Sequence, residues 1–401
     1  MGPHPAVAAI RLAVRRVLND VAAQVPDTFS SHAADTPTGA QAGAPTPDPR
    51  PVFHPVGDVD PQHAKRRTPR PRPAPDAPLV LVACSGGADS MALAAATAFE
   101  AARIGLRAGA VTVDHGLQEG SAQRASQLTA VLTGLQLDPV QSIAVDVARR
   151  SGGSRRSGGS GGTGGSAAPS GPAYPGPEGA ARDARYAALA GAASAAGAAV
   201  IALGHTLDDQ AETVLLGLAR GSGARSLAGM APRAGVYLRP LLQVRRAQTR
   251  AACAALGLEP WQDPHNTDSS YARARVRGQL LPVMEELLGP GVTEALARTA
   301  AQLHADADVL DCLAAAQAER LRGPDCSLPA GALAELPQAI RTRLLRSAAI
   351  AAGCPAGALG ARQVGALDAL VTSWHGQRWA DLPGGVRCQR RYGRLLFTAQ
   401  A

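Results

Sequence analysis

Leu79-Val80-Leu81-Val82-Ala83-Cys84-Ser85-Gly86-Gly87-Ala88-Asp89-Ser90 is the stretch that decides the fold. Five apolar residues read as a buried strand, the serine-glycine step as a turn, and residues 91–100 as a helix. A strand that ends in glycines and feeds a helix gathers backbone N–H groups and the positive end of the helix dipole at one point, which suits a phosphate. The hydroxyls of Ser85 and Ser90 add donors. Asp89 is unexpected there, because a carboxylate beside a phosphate is repulsive unless a cation lies between them. Its presence predicts Mg²⁺ bridging Asp89 and the phosphates. The bland alternative is a tight turn with an aspartate near a helix start. Lys65 is the only lysine of the chain and falls in a Pro-rich stretch, so a phosphate site here works without a Walker-type lysine.

Outward from this stretch, residues 108–113, 140–145 and 200–203 read as further buried strands. They alternate with helical patterns at 122–132, 178–196, 208–219 and 245–256. That alternation predicts an α/β fold, a parallel sheet with helices on both faces. After Pro264 the strand signal fades, and 273–288 and 292–318 carry leucines at helical spacing, so a mainly helical C-terminal domain is expected. Glycines and a proline punctuate short strand-like runs in 378–398, which predicts a small β element. Residues 26–75 are dominated by Pro, Ala, Asp and Thr and read as disordered, and 151–171 reads as a flexible Gly/Ser insertion. The expected domains are an N-terminal helix within 1–25, a disordered segment at 26–77, a nucleotide-binding domain at 78–260 and a helical domain at 261–401.

The chain has 401 residues, 46% of them hydrophobic, with 40 Lys plus Arg against 32 Asp plus Glu and a net charge of +8. The basic balance suits a polyanionic partner such as nucleic acid. No run of about eighteen apolar residues exists, and Arg11, Arg15 and Arg16 interrupt the first helical stretch, so neither a membrane span nor an export signal is expected. A cytoplasmic protein with reduced thiols follows, because the six cysteines never form a Cys-x-x-Cys pair that would hold zinc or cycle redox state.

Two carboxylates, Asp209 and Glu212, stand three residues apart at a helix start and so share a face. At the carboxyl end of a sheet strand such a pair can hold Mg²⁺, receive an ammonium, or take a proton from an attacking amine. His205 ends the preceding strand. Arg182 and Arg185 also share a helix face and suit a phosphate or carboxylate clamp. Arg273, Arg275 and Arg277 cannot all share one face, yet each has the chemistry to reach RNA phosphate.

The hexapeptide from Ser85 to Ser90 resembles the Ser-Gly-Gly-x-Asp-Ser loop of the PP-loop, or N-type, ATP pyrophosphatases. These split ATP into AMP and pyrophosphate while adenylating an oxygen. The later motifs resemble, within that family, the bacterial tRNA(Ile)-lysidine synthetases: Val113-Asp114-His115-Gly116-Leu117, Ala181-Arg182-Asp183-Ala184-Arg185-Tyr186, and Gly204-His205-Thr206-Leu207-Asp208-Asp209-Gln210-Ala211-Glu212-Thr213. They continue with Arg239-Pro240-Leu241-Leu242, with residues 261–268, and with Tyr271-Ala272-Arg273-Ala274-Arg275-Val276-Arg277, where Ala274 replaces the family's usual asparagine.

The resemblance implies ligation of free L-lysine to C2 of the wobble cytidine of the isoleucine tRNA with a CAU anticodon, through an adenylated cytidine, with ATP and Mg²⁺. It implies ATP-binding roles for Ser85, Gly86, Gly87, Ala88, Asp89 and Ser90, and catalytic roles for Asp89, Arg182, Asp209 and Glu212. Metal ligation falls to Asp89 and Asp209, and substrate or tRNA contacts to His115, His205, Arg273, Arg275 and Arg277. Arg341, Arg343, Arg346, Arg387, Arg390, Arg391 and Arg394 make the C-terminal end basic and suited to tRNA phosphates. The competing reading is a 2-thiocytidine sulfurtransferase, whose chemistry calls for paired cysteines that this chain lacks, or another PP-loop nucleotide-activating enzyme. A homodimer is left open.

Overall fold

A computed structural model describes residues 2–24, 73–114, 120–145, 177–221, 223–263, 268–323 and 327–400. His115, residues 264–267, most of the Pro-rich segment and the whole 151–171 insertion lie outside these residues.

Helix α1 (Pro5–Gln24) precedes β1 (Leu79–Ala83), α2 (Ala88–Arg103), β2 (Arg107–Asp114), α3 (Ser121–Gly134), β3 (Val140–Ala144), α4 (Pro177–Ala196) and β4 (Ala198–Leu203). Then come α5 (Leu207–Ala219), α6 (Ala224–Leu227), β5 (Arg233–Ala234), β6 (Tyr237–Leu238) and α7 (Arg246–Ala255). The sheet order is β3-β2-β1-β4-β6-β5, with every pairing parallel except β5 with β6. β1 is therefore central, and its four leading residues are fully covered, as expected of a strand packed on both faces. β3 is an edge strand, and the continuous burial expected over 140–145 is absent: Ser142 and Ala144 are exposed, because only one neighbour and one layer cover them.

Helix α1 is a working part of this layer. Val7, Ile10, Val14, Leu18 and Val21 recur at helical spacing, are buried, and join the core that also holds Leu93 of α2 and Cys253 of α7. Glu100, near the end of α2, is fully buried and accepts two hydrogen bonds from Arg15 at 2.7 and 3.0 Å. Helix α2, which begins at the glycine loop, is thus fixed at its far end by the N-terminal helix.

The second half is helical first. α8 (Ala272–Arg275) runs through a π-helical turn at Val276–Leu280 into α9 (Leu281–Leu288) and the long α10 (Val292–Leu321). Val276 and Leu281 pack on Ala211 and Leu215 of α5, which docks α8 over the α/β layer. Glu285 accepts hydrogen bonds from the N–H groups of Gly291, Val292 and Thr293 and from the Thr293 hydroxyl, capping the start of α10. The end of the chain holds β7 (Leu328–Pro329), α11 (Ala330–Glu335), α12 (Gln338–Ala351), α13 (Ala361–Thr372), β8 (Ala380–Leu382), β9 (Val386–Arg391) and β10 (Arg394–Ala399). These strands form an antiparallel sheet in the order β7-β10-β9-β8. It has its own core, around Leu333, Leu344, Leu345, Leu367, Cys388 and Leu395. No helix among the described residues is long and apolar enough to cross a membrane.

Candidate active site

The glycine loop leaves the carboxyl end of the central strand. Gly86 sits at φ +84°, a left-handed conformation that glycine adopts without steric cost. The buried Ser90 hydroxyl donates to the Gly87 carbonyl at 2.9 Å and accepts from the Ser85 N–H at 3.2 Å, which closes the loop over the start of α2. The first N–H groups of a helix have no acceptor inside it. Those of α2 therefore face the loop, as the sequence predicts for an anion cradle.

A second motif is pressed against this one. A Cβ placed on Gly204 would lie 3.0 Å from the Ser90 nitrogen and 3.1 Å from the Asp89 carbonyl carbon, so only glycine lets β4 end this close to the loop. Thr206 follows as the N-cap of α5. Its N–H and its hydroxyl both donate to Asp209 Oδ2 at 2.8 Å, which fixes that carboxylate at the helix start.

Asp89, Asp209 and Glu212 converge on one guanidinium. Arg246, at the start of α7, reaches Asp209 Oδ1 at 2.7 Å, Glu212 Oε1 at 3.1 Å and Asp89 Oδ2 at 3.3 Å. Asp208 accepts the Arg246 backbone N–H at 2.8 Å, and Thr249 one turn on donates to Asp89 and to the Arg246 carbonyl. Arg273 adds a bond to Glu212 Oε2 at 2.8 Å, and Arg277 grips Glu212 with two bonds at 2.7 and 3.0 Å. Residues four apart share a helix face, so Arg273 and Arg277 turn inward together. Arg275 faces away and donates to the carbonyls of Ser269 and Ser270.

The charge states follow from this packing. Burial pushes Asp209 and Glu212 up, but Arg246 and Thr206 on the first, and Arg277 and Arg246 on the second, outweigh it and hold both below the usual carboxylate range. For Asp89 burial dominates, the Asp209 charge adds to it, and the carboxyl is raised in spite of Thr249 and Arg246. Burial likewise lowers His205 to about 4, with Arg239, Arg185 and Arg273 adding to the effect against Asp209. The imidazole is therefore neutral at pH 7, and its buried Nδ1 has no hydrogen-bond partner among the described residues. Arg185 is half-buried, and the groups acting most on it, after burial itself, are Tyr186, Arg182 and Arg273. Arg182 is exposed, its guanidinium 5.0 Å from the Tyr186 ring centre. Arg185 and Arg273 thus place positive charge beside the acid cluster, next to the neutral imidazole of His205.

The structure brings together the loop, Asp89, His205, Asp209, Glu212, Arg273 and Arg277. It leaves Arg182 at the periphery and Arg275 outside, while His115 lies beyond the described residues. Sequence reading missed Arg246 and Thr249. One signal was available: Arg245 and Arg246 open a helix, where the dipole disfavours a cation, so a compensating partner was to be expected.

The fit of Mg²⁺ depends on free lone pairs. Asp209 and Glu212 accept two hydrogen bonds on each carboxylate oxygen. Asp89 accepts one on each and is the most exposed of the three. Mg²⁺ commonly takes one or two carboxylates together with phosphate oxygens. Asp89 fits that pattern, and no group of three or more His, Cys, Asp or Glu that could hold a metal occurs among the described residues.

Comparison with known proteins agrees with this geometry. A PP-loop domain model matches residues 62–284, and a TilS substrate binding domain model matches residues 328–396. The tRNA(Ile)-lysidine synthase of Thermobifida fusca is 57% identical over 329 residues, covering 82% of this chain and 94% of the relative. That of Streptomyces coelicolor is 50% identical over 401 residues and 99% of both chains, and that of Salinispora arenicola 54% identical over 328 residues, 81% and 92% of the two. Identity of this order along nearly the whole of each relative leaves no gap for a different assignment: the chain belongs to the tRNA(Ile)-lysidine synthase family, built on an ATP-using PP-loop domain.

Proposed function

We propose that this protein uses ATP to join free L-lysine to C2 of the wobble cytidine of the isoleucine tRNA with a CAU anticodon, giving lysidine, AMP and pyrophosphate. The cytidine O2 attacks the α-phosphorus of ATP and pyrophosphate leaves. The lysine ε-amine then attacks C2, and AMP departs with the former O2. Adenylation turns a poor leaving oxygen into a good one, which is why the reaction consumes ATP.

One observation carries the reading: Gly204 seats the helix bearing Asp209 and Glu212 directly on the Asp89-Ser90 backbone, so a phosphate loop and an acid pair serve one space. In this reading the backbone of residues 85–90 cradles the phosphates. Asp89, with phosphate oxygens and water, would hold Mg²⁺, which when bound neutralises charge building on the pyrophosphate. Asp209, the second metal ligand suggested by the family motif, would first have to release Arg246 or Thr206. Arg185 and Arg273 would meet the α-phosphate with positive charge, with Arg182 at the rim and the neutral His205 imidazole beside them. The lysine ammonium displaces an arginine from Asp209 or Glu212. Carboxylates held this firmly ionised anchor an ammonium well and are weak bases. Arg275, facing outward, and His115 are offered to the tRNA.

The test is incubation of the protein with ATP, labelled lysine and the CAU-anticodon tRNA. Label entering tRNA together with AMP supports the reading. AMP release without lysine incorporation, or no reaction, overturns it. Sulfur transfer to cytidine would favour the alternative, against which stands the lack of any Cys-x-x-Cys pair in the sequence; Cys84, Cys253, Cys312, Cys354 and Cys388 are all free thiols.

A further inference from the structure

Most of the C-terminal arginines that the sequence offers to tRNA phosphates are occupied within the fold. Arg341 is buried against Asp368 at 2.6 Å, Arg343 pairs with Asp311 at 2.8 Å, and Arg346 donates to the Ala356 carbonyl. Arg394 donates to the hydroxyl and carbonyl of Ser327. What this region exposes instead is aromatic. The chain has only 3 Trp, 5 Tyr and 4 Phe, yet Trp374, Trp379 and Tyr392 are 48%, 39% and 96% exposed.

Each ring is backed by an arginine. The Arg390 guanidinium lies 4.8 Å from the Trp374 ring centre, that of Arg387 4.3 Å from Trp379, and that of Arg391 5.9 Å from Tyr392. The two tryptophan rings are also held in place. Arg390 donates to the Leu370 and Val371 carbonyls at the end of α13. The Trp374 indole N–H donates to the Gln377 carbonyl, and Gln377 in turn closes the turn through Ser373 and His375. Asp381 accepts from the Trp379 indole on one oxygen and from Arg387 on the other.

Sheet register and the ring contacts gather the three around the hairpin end of β9. Ala380 pairs with Cys388, so Trp379 comes level with Gln389, Trp374 lies against Arg390, and Tyr392 forms the tip of the β9–β10 hairpin beyond Arg391. Side chains alternate along a strand, so Arg387 and Arg390 take opposite faces of β9 and the two tryptophans flank it. Tyr392 has φ +49° ahead of Gly393 at +73°, in a two-residue turn where both residues need left-handed backbone and asparagine is the favoured first member. A tyrosine there costs stability and covers nothing.

Residues 373–400 carry five arginines and one aspartate, a surplus of four positive charges. Exposed rings with a cation behind them and a basic surround recognise RNA bases that are free to leave their stack; bases inside a duplex offer no open face. We propose that Trp374, Trp379 and Tyr392 form a stacking platform for unpaired or terminal bases of the tRNA, distinct from the nucleotide that reacts. The platform belongs to the C-terminal core and rests on the tRNA substrate of the proposed function.

Trp374→Leu, Trp379→Leu and Tyr392→Asn test it in the full-length protein, with the unmodified CAU-anticodon tRNA and fluorescence anisotropy. Each is expected to weaken tRNA binding by about 5- to 100-fold, with the phenylalanine versions of the two tryptophan variants within about 3-fold of wild type. The slope of affinity against salt stays as in wild type, because no phosphate contact is lost. Tyr392→Asn keeps or raises the melting temperature. Wild-type affinity in all three variants, with the unaltered enzyme forming lysidine, overturns the platform alone. Equal weakening by Leu and Phe with a lowered melting temperature also overturns it, since that marks a packing role. An unaltered protein that binds no tRNA overturns the platform and the proposed function together.

Discussion

Arg246 Nη2 stands 2.7 Å from Asp209 Oδ1, and the other nitrogens of that guanidinium reach Glu212 and Asp89, so one cation from α7 ties together carboxylates from α2 and α5. Burial alone would lower the Arg246 guanidinium, but Asp209, Glu212 and Asp89 outweigh it. Removing one partner of a buried ion pair leaves uncompensated charge, at a cost of about 3 to 5 kcal/mol. Arg246→Ala is therefore expected to lower urea-denaturation stability by that order and to slow pyrophosphate release by at least about 10²-fold. Arg246→Lys keeps the charge but cannot span three carboxylates, and should fall between. Wild-type stability in Arg246→Ala would show that the cluster is held by Arg273 and Arg277 alone.

Asp89 differs from its neighbours in having one hydrogen bond per oxygen and a carboxyl raised by burial. Asp89→Asn keeps the shape and removes the charge. Its melting temperature is expected to stay close to wild type, while AMP formation falls by about 10²- to 10³-fold, the usual loss when a stabiliser of developing charge is removed. Parallel melting and pyrophosphate-release measurements separate the two effects. Unimpaired AMP formation would remove Asp89 from the reaction.

The legible parts of the fold were those written in short contiguous spans. The loop at 85–90 and the acids at 209 and 212 announce themselves because strand, glycine and helix signals follow one another. The arginine sorting at 273–277 was half legible: helical spacing says that 273 and 277 share a face, but not that the face turns inward. Arg246 was not legible as a site residue, because its partners are 34, 37 and 157 residues away in the chain. The tie of α1 to α2 through Arg15 and Glu100 is equally non-local, at a separation of 85 residues. The edge position of β3 depends on strand order, which no single strand's composition carries.

Gly204 offers a cleaner probe of the contact between the two motifs. A methyl group there meets backbone atoms of Asp89 and Ser90 at 3.0 to 3.1 Å, so the loop rather than a flexible side chain must give way. Gly204→Ala is expected to cost about 1 to 3 kcal/mol, typical of overpacking. The KM for ATP should rise more than the KM for lysine. Isothermal titration with a non-hydrolysable ATP analogue checks the first part, and unchanged ATP affinity would mean that the loop does not bind the nucleotide.

His205 predicts how stability responds to acid. Burial, with help from nearby arginines, holds its imidazole at about 4 instead of the ordinary 6.5. Between those values the unfolded chain takes up a proton that the folded chain refuses, so stability falls as pH drops from 6.5 towards 4 and is unaffected above that window. The full effect is about 3 kcal/mol, at 1.36 kcal/mol per unit. Asp209 and Glu212 act further down: held below their ordinary 3.8 and 4.5, they contribute stability that is complete above those values and lost as pH falls through the lowered ones. Urea denaturation at a series of pH values should therefore show two successive losses, and His205→Gln should abolish the first while keeping the second. If the slope between pH 6.5 and 4 survives that substitution, the imidazole is solvated in the folded protein and does not stand as a neutral group at the end of β4.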